Sequence, residues 1–202
     1  MIGIIDYGVG NLFSLECSLK KINEETIVTD SKETIESCEK IILPGVGAFR
    51  DAMMKLKDKK LDEVLLNEAG KGKPLLGICL GMQMLFDCSY EFGYCKGLGL
   101  IPGEVKELKG YIKDGLDIPH MGWNSLTVTD RDGIMKKTNE GDYVYFVHSF
   151  AAFTEDKYVS SFTDYGGRIT ASVQNKNVYG TQFHPEKSGE TGLQILKEFS
   201  HL

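Results

Sequence analysis

The 202-residue chain contains no apolar run approaching the roughly 20 residues that a membrane-spanning helix needs. Its first residues, MIGIIDYG, lack the basic start and the apolar length of a signal peptide. None of its five cysteines (Cys17, Cys38, Cys79, Cys88, Cys95) forms a C-x-x-C pair, and an odd count does not close a disulfide framework. These gaps predict reduced thiols, a cytoplasmic location and no membrane partner. Positive charge is also scarce: 23 Lys and Arg against 29 Asp and Glu give a net charge of −6, and the mixed KLKDKK at 55–60 is too short for a nucleic-acid tract. Nucleic acid is therefore not an expected partner. Repeats, low-complexity segments and linkers are absent as well. A chain of this length with 42% hydrophobic residues is expected to form a single domain, residues 1–202, around a sizeable core.

What is present is an alternation of two periodicities. MIGIIDYG reads as a strand entering a glycine turn, and Leu12, Leu15, Leu19 and Ile22 follow at helical spacing with Asn11 as the cap. ETIVTD reads as a second strand and Ser31 as the cap of the next helix. KIILPGVGAF gives a third strand, stopped by Pro44 and two glycines, and PLLGIC a fourth. Continuous apolar strands alternating with helices as far as about Cys88 predict an α/β fold whose parallel sheet is covered on both faces. After Gly97 the chain turns β-rich (EVKEL, NSLTVTD, DYVYFVHSF, YVSSFTDY, ITASVQ, VYGTQF) and is expected to extend the same sheet with antiparallel strands. An amphipathic helix from about Ser188, with Leu193, Leu196 and Phe199 on one side, ends the pattern.

Open α/β sheets gather their active sites at the carboxyl ends of strands. Cys79 stands there, in the frame Gly77-Ile78-Cys79-Leu80-Gly81. Small residues flanking a nucleophile permit a sharp turn that lifts it clear of the sheet. The following helix start favours a thiolate and aims the Leu80 N–H where an oxyanion forms. A nucleophile needs a base, and TQFHPEKS offers His184, held extended by the following Pro185. In an extended segment Glu186 shares a face with His184 and so completes a Cys-His-acid arrangement. Taken singly, a buried cysteine is more often inert, and a His-x-Glu pair is as often a strand-end histidine beside a surface carboxylate as a catalytic pair.

GICLGMQ and QFHPEKS together resemble the paired signatures of class I (triad) glutamine amidotransferases, in the same order and at a similar separation. The resemblance implies the flavodoxin-like fold of that class, with a central mixed but mostly parallel sheet and a β-rich C-terminal half. It makes Cys79 the nucleophile, His184 the acid/base, Glu186 its orienting carboxylate and Gln83 a contact for bound glutamine. IDYGVGNLFS, LPGVGAF, PHMGWN and YFVHSF are similar, over essentially the whole chain, to the family of glutaminase subunits of imidazole glycerol phosphate synthases. That likeness assigns Gly45, Val46 and Gly47 to the second side of the oxyanion hole. It places Trp123, Tyr145 and His148 near the interface with a (β/α)-barrel cyclase (synthase) subunit, the partner in a heterodimer. L-glutamine is the implied substrate, and ammonia passed to the cyclase the implied product of value, in histidine biosynthesis.

No cofactor or metal is expected: Gly8-Val9-Gly10 suggests a dinucleotide loop, but Phe13 stands where the third glycine of G-x-G-x-x-G belongs. Three rival readings stay open on sequence alone. A paralogous glutaminase serving another synthase, such as one amidating a nucleotide sugar, has the same build. A cysteine peptidase or esterase uses the same triad, and a non-catalytic interaction module has the same scaffold.

Overall fold

A computed structural model describes all 202 residues, Met1–Leu202. The first half is built as its periodicities predict. Strands β1 (Ile2–Ile5), β2 (Thr26–Thr29), β3 (Lys40–Gly45) and β4 (Leu75–Cys79) alternate with helices α1 (Leu12–Lys21), α2 (Lys32–Ser37), the pair α3 (Phe49–Asp58) and α4 (Leu61–Gly70), and the five-residue α5 (Leu80–Met84). Ser31 caps α2 by accepting the Thr34 N–H, whereas Asn11 precedes α1 without a side-chain cap bond. Strand β3 does not stop at Pro44 but runs on to Gly45. Its ladder with β1 ends at Ile42, and beyond that point the Pro44 carbonyl accepts the Tyr7 hydroxyl at 2.8 Å instead. Proline is tolerated in a strand where no neighbouring strand needs its missing N–H.

The second half supplies β5 (Phe86–Ser89), β6 (Cys95–Lys96), β7 (Ile101–Glu107), β8 (His120–Ser125), β9 (Thr127–Val128), β10 (Tyr143–His148), β11 (Phe150–Phe153), β12 (Val159–Asp164), β13 (Arg168–Asn175), β14 (Val178–Thr181) and the terminal helix α6 (Gly189–Ser200). These strands do not all extend one sheet. The central sheet has the order β2-β1-β3-β4-β14-β13-β12-β9, while β11-β7-β5-β6 form a separate sheet and β10-β8 a two-stranded ribbon. Strand β14 lies parallel to β4, with Thr181 opposite Ile78, and only β13, β12 and β9 continue antiparallel. The alternation of apolar and polar residues fixes which face of a strand is buried, but not which strand it pairs with.

Helices cover both faces of the central sheet. On one side Phe49, Leu56, Leu61 and Leu65 of α3 and α4 join Leu80 and Met82 of α5 and residues of the four-stranded sheet in a core of 25 buried side chains. On the other, Leu15 and Leu19 of α1 meet Ile195, Leu196 and Phe199 of α6 together with Phe146 and Phe183. No helix is long and apolar enough to cross a membrane.

Candidate active site

Strand β4 ends on Cys79 and α5 begins on the next residue, so the chain reverses within one residue. Cys79 takes φ 55° and ψ −111°, a region that costs a side-chain-bearing residue about 1–3 kcal/mol. The flanking glycines do not carry this strain, since neither has a positive φ. They supply space: a Cβ on Gly81 would overlap the Leu43 carbonyl, and one on Gly77 would stand 2.7 Å from the Gly81 backbone. Cys79 lies directly across from Gly45 in the β3–β4 register.

His184 follows β14 by three residues, which brings it beside the end of β4. Its backbone is clamped: the N–H donates to the Tyr145 carbonyl at 3.0 Å, and its carbonyl accepts the Ser188 hydroxyl at 2.6 Å. The residue itself is extended, as Pro185 requires, but Pro185–Lys187 form a single 3-10 turn and not the extended segment expected from sequence. That turn still delivers Glu186, whose Oε1 accepts from His184 Nδ1 at 2.8 Å, with both side chains nearly fully buried. Burial pushes the His184 imidazole down, but hydrogen bonds with the Cys79 sulfur and Glu186, and the negative charge of both, outweigh it and lift the pKa to about 10. These partners favour the protonated imidazole.

Cys79 and His184 border a cavity of about 470 Å³ that is lined also by Val46, Gly47, Leu80, Gln83, Glu91 and His148. Gly45 is confined, because a Cβ there would crowd the Gly81 N, the Tyr7 hydroxyl and Leu80. Gly47, at φ 92°, has open space around it and Val46 is exposed. Gln83 is buried at the cavity wall, its Nε2 donating to the Phe150 carbonyl and to Gln182 Oε1, each at 2.9 Å. Gln182 in turn directs its Nε2 to Cys79 Sγ at 3.8 Å.

The three expected interface residues separate. Trp123 on β8 is 55% exposed and sits edge-on to its register partner Tyr145 on β10, with ring centroids 6.1 Å apart. His148 is turned inward: only 7% exposed, it lines the cavity and bonds His120 and the Phe150 carbonyl. It thus offers no docking surface of its own, because the pleat of β10 buries Val144, Phe146 and His148 on the face opposite Tyr145.

Sequence reasoning passed over Glu91 and Gln182. Glu91 carries the one carboxylate among the cavity-lining residues, and its Oε2 accepts the Phe49 N–H at 2.6 Å. Burial raises its pKa against the opposing pull of that hydrogen bond, with Asp51 adding to the rise. Nothing in SYEFGY marks it. Gln182 was within reach, since it stands two residues before His184 in an extended stretch.

The model of the glutamine amidotransferase class-I family matches residues 3–201. The chain is 48% identical over 204 residues to imidazole glycerol phosphate synthase subunit HisH of Oceanobacillus iheyensis, covering all of this chain and 99% of that one. It is 51% identical to the HisH subunit of Bacillus cereus strain G9842, over 98% of this chain and 93% of that one. Among solved structures, a glutamine amidotransferase superposes with a TM-score of 0.76 at 17% identity, over 98% of each chain. PurLQS from Thermotoga maritima gives 0.74 at 23% identity, over 99% of this chain and 97% of that one. The fold and the sequence agree, and the chain belongs to the class-I glutamine amidotransferases. Within that class it belongs with the HisH subunits of imidazole glycerol phosphate synthase, the glutaminase-subunit family that its motifs resemble.

Proposed function

We propose that the chain hydrolyses L-glutamine to glutamate and ammonia and delivers the ammonia to a (β/α)-barrel cyclase subunit, its partner in the cytoplasmic heterodimer imidazole glycerol phosphate synthase. The observation that carries this reading is the convergence at one cavity of Cys79, at the end of β4, and His184, just beyond the neighbouring parallel strand β14, with Glu186 hydrogen-bonded to the imidazole behind them. The Cys79 thiolate attacks the side-chain carboxamide carbon of glutamine, and the carbonyl electron pair moves onto oxygen. The Leu80 N–H and the loop of Gly45, Val46 and Gly47 receive that oxyanion, with the open Val46–Gly47 peptide free to turn toward it. His184 passes its proton to the departing nitrogen, and ammonia leaves as the γ-glutamyl thioester forms. A water then gives a proton to His184 and attacks the thioester, freeing glutamate and the thiolate.

Glu91 suits the α-ammonium group of glutamine, a cation that a carboxylate partly shielded from water recognises well. Gln83 fits beside the substrate chain, where its anchored amide limits the shape of the pocket. Ammonia set free in water becomes protonated and loses its lone pair, which favours direct transfer. Trp123, Met121 and Tyr143, all exposed on the β8–β10 ribbon, make an aromatic and apolar face suited to a protein partner. The cyclase would then use the ammonia in histidine biosynthesis to form imidazole glycerol phosphate and an aminoimidazole carboxamide ribonucleotide. The test is glutamate release from glutamine by the chain with its barrel partner and the partner's nucleotide ligand present. Turnover that depends on Cys79 supports the reading, and its absence under all these conditions overturns it.

A further inference from the structure

The polar contacts around the cavity form one continuous path, in which two donor chains meet at the Phe150 carbonyl. The Phe150 carbonyl is an acceptor only, so His148 Nδ1, 2.8 Å away, carries a hydrogen. Burial pushes the pKa of His148 down to about 3 and that of His120 to about 4, so both rings are neutral at physiological pH. The second nitrogen of His148 is therefore an acceptor, and His120 Nδ1 donates to it at 3.1 Å. His120 Nε2 is left as an acceptor for the Asn124 amide at 3.4 Å. Asn124 is itself oriented, donating to the Asp164 carbonyl and accepting the Ser125 N–H. Stacking of the His120 ring on Tyr165 and Phe146, at 4.0 and 4.8 Å between centroids, fixes its plane.

The same Phe150 carbonyl also accepts from Gln83 Nε2. Gln83 uses its other amide hydrogen on Gln182 Oε1, which leaves Gln182 Nε2 facing the Cys79 sulfur. Every donor and acceptor along this path has one assignment. The path starts at Asn124, the residue after the exposed Trp123, and ends on the nucleophile.

We propose that Gln182 stabilises the Cys79 thiolate by donating an amide hydrogen to the sulfur, and that Gln83, Phe150, His148, His120 and Asn124 are positioning groups that hold the Gln182 amide in that orientation. The proposal rests on the reading of Cys79 as nucleophile. It makes the β8 surface and the reacting sulfur two ends of one hydrogen-bonded unit. A displacement of β8 by a docking partner is then felt as a change in how well the thiolate is solvated by the protein.

The test is the pH dependence of Cys79 alkylation by iodoacetamide in the full chain, read by mass spectrometry of the Cys79 peptide. Gln182→Met removes the donor at similar length and should move the alkylation midpoint upward. It should also lower kcat for glutamine about tenfold or more, the scale of a lost hydrogen bond to a charged group, with KM changed far less. His148→Phe should shift the midpoint in the same direction, and His148→Asn, whose amide reproduces the Nδ1 donor, should restore it. Asn124→Leu, at the solvent edge where the fold is little affected, should give a smaller shift of the same sign. An unchanged midpoint in Gln182→Met overturns the thiolate role. Unchanged midpoints in both His148→Phe and Asn124→Leu overturn the relay, and Asn124→Leu alone decides if His148→Phe does not fold. The alkylation profile is read without glutamine, so its failure is distinct from failure of the glutaminase reading, which the turnover of Cys79→Ala tests.

Discussion

At Cys79 the proposed nucleophile, a strained backbone and a strand end coincide in one residue, and their contributions separate by substitution. Cys79→Ala should abolish glutamine hydrolysis while leaving the strain, because alanine keeps a Cβ at φ 55°. Cys79→Gly should be equally inactive but more stable than Cys79→Ala by about 1 kcal/mol, since glycine enters that region without the Cβ clash. Urea unfolding of the two variants checks the difference, and equal stabilities would mean that the turn stores no strain. His184 makes a second prediction. Its folded pKa of about 10 lies above the ordinary 6.5, so its contribution to stability is full below pH 6.5 and is lost as pH rises toward 10. Stability should therefore fall between pH 7 and 10, and the decline should be shallower in Glu186→Gln, where one of the groups that raise the pKa has lost its charge. Glu186→Gln should also retain more glutaminase activity than His184→Ala, because it weakens the orientation of the imidazole without removing the proton carrier. The grouping of Cys79, His184 and Glu186 was legible in the sequence because each part sits in a short local pattern. Glu91 was not, because a lone glutamate in a polar loop acquires meaning only when the Phe49 N–H and the cavity wall close around it.

The local elements of the α/β half follow from apolar periodicity and from punctuation by glycine, whereas the partition of the later strands among three sheets does not. Nothing in VYGTQF distinguishes a strand that slots parallel beside β4 from one that pairs at an edge. His148 illustrates the same limit, for its inward direction depends on the β8–β10 register, which sets it opposite His120. Where two elements must touch, the requirement is steric. Strand β3 and α5 approach so closely at Gly81 that even a methyl group has no room. Gly81→Ala should destabilise the protein by about 1–3 kcal/mol, the usual range for overpacking, or more if β3 does not yield. It should also lower glutaminase activity, since the displaced β3 carries Gly45 away from Cys79. Thermal unfolding and turnover measured on one preparation check both effects, and wild-type values for both would show that the contact relaxes freely.

For the whole molecule, the proposed function predicts gating by the partner, because Gly45 is confined whereas Gly47 is unencumbered. A docked subunit on the Trp123 face that biases the Val46–Gly47 peptide would complete the oxyanion hole only when ammonia has somewhere to go. Loss of one oxyanion donor costs about 100- to 1000-fold in rate. The free chain should accordingly turn over glutamine slowly, the binary complex somewhat faster, and the complex with the nucleotide ligand of the cyclase fastest. Equal rates in all three would remove the gate while leaving the triad intact. The seating of β14 between β4 and β13 has a further consequence, which concerns the order of assembly. Thiol and imidazole are neighbours in space but belong to segments about a hundred positions apart along the chain, and β14, which leads into the imidazole, is the last strand in chain order. A nascent chain still tethered through its final quarter therefore has an open slot at the centre of its sheet and no means of cleaving an amide. Pairings between such distant segments close late and slowly, so in a refolding experiment the return of amidase activity should lag behind the return of helical signal.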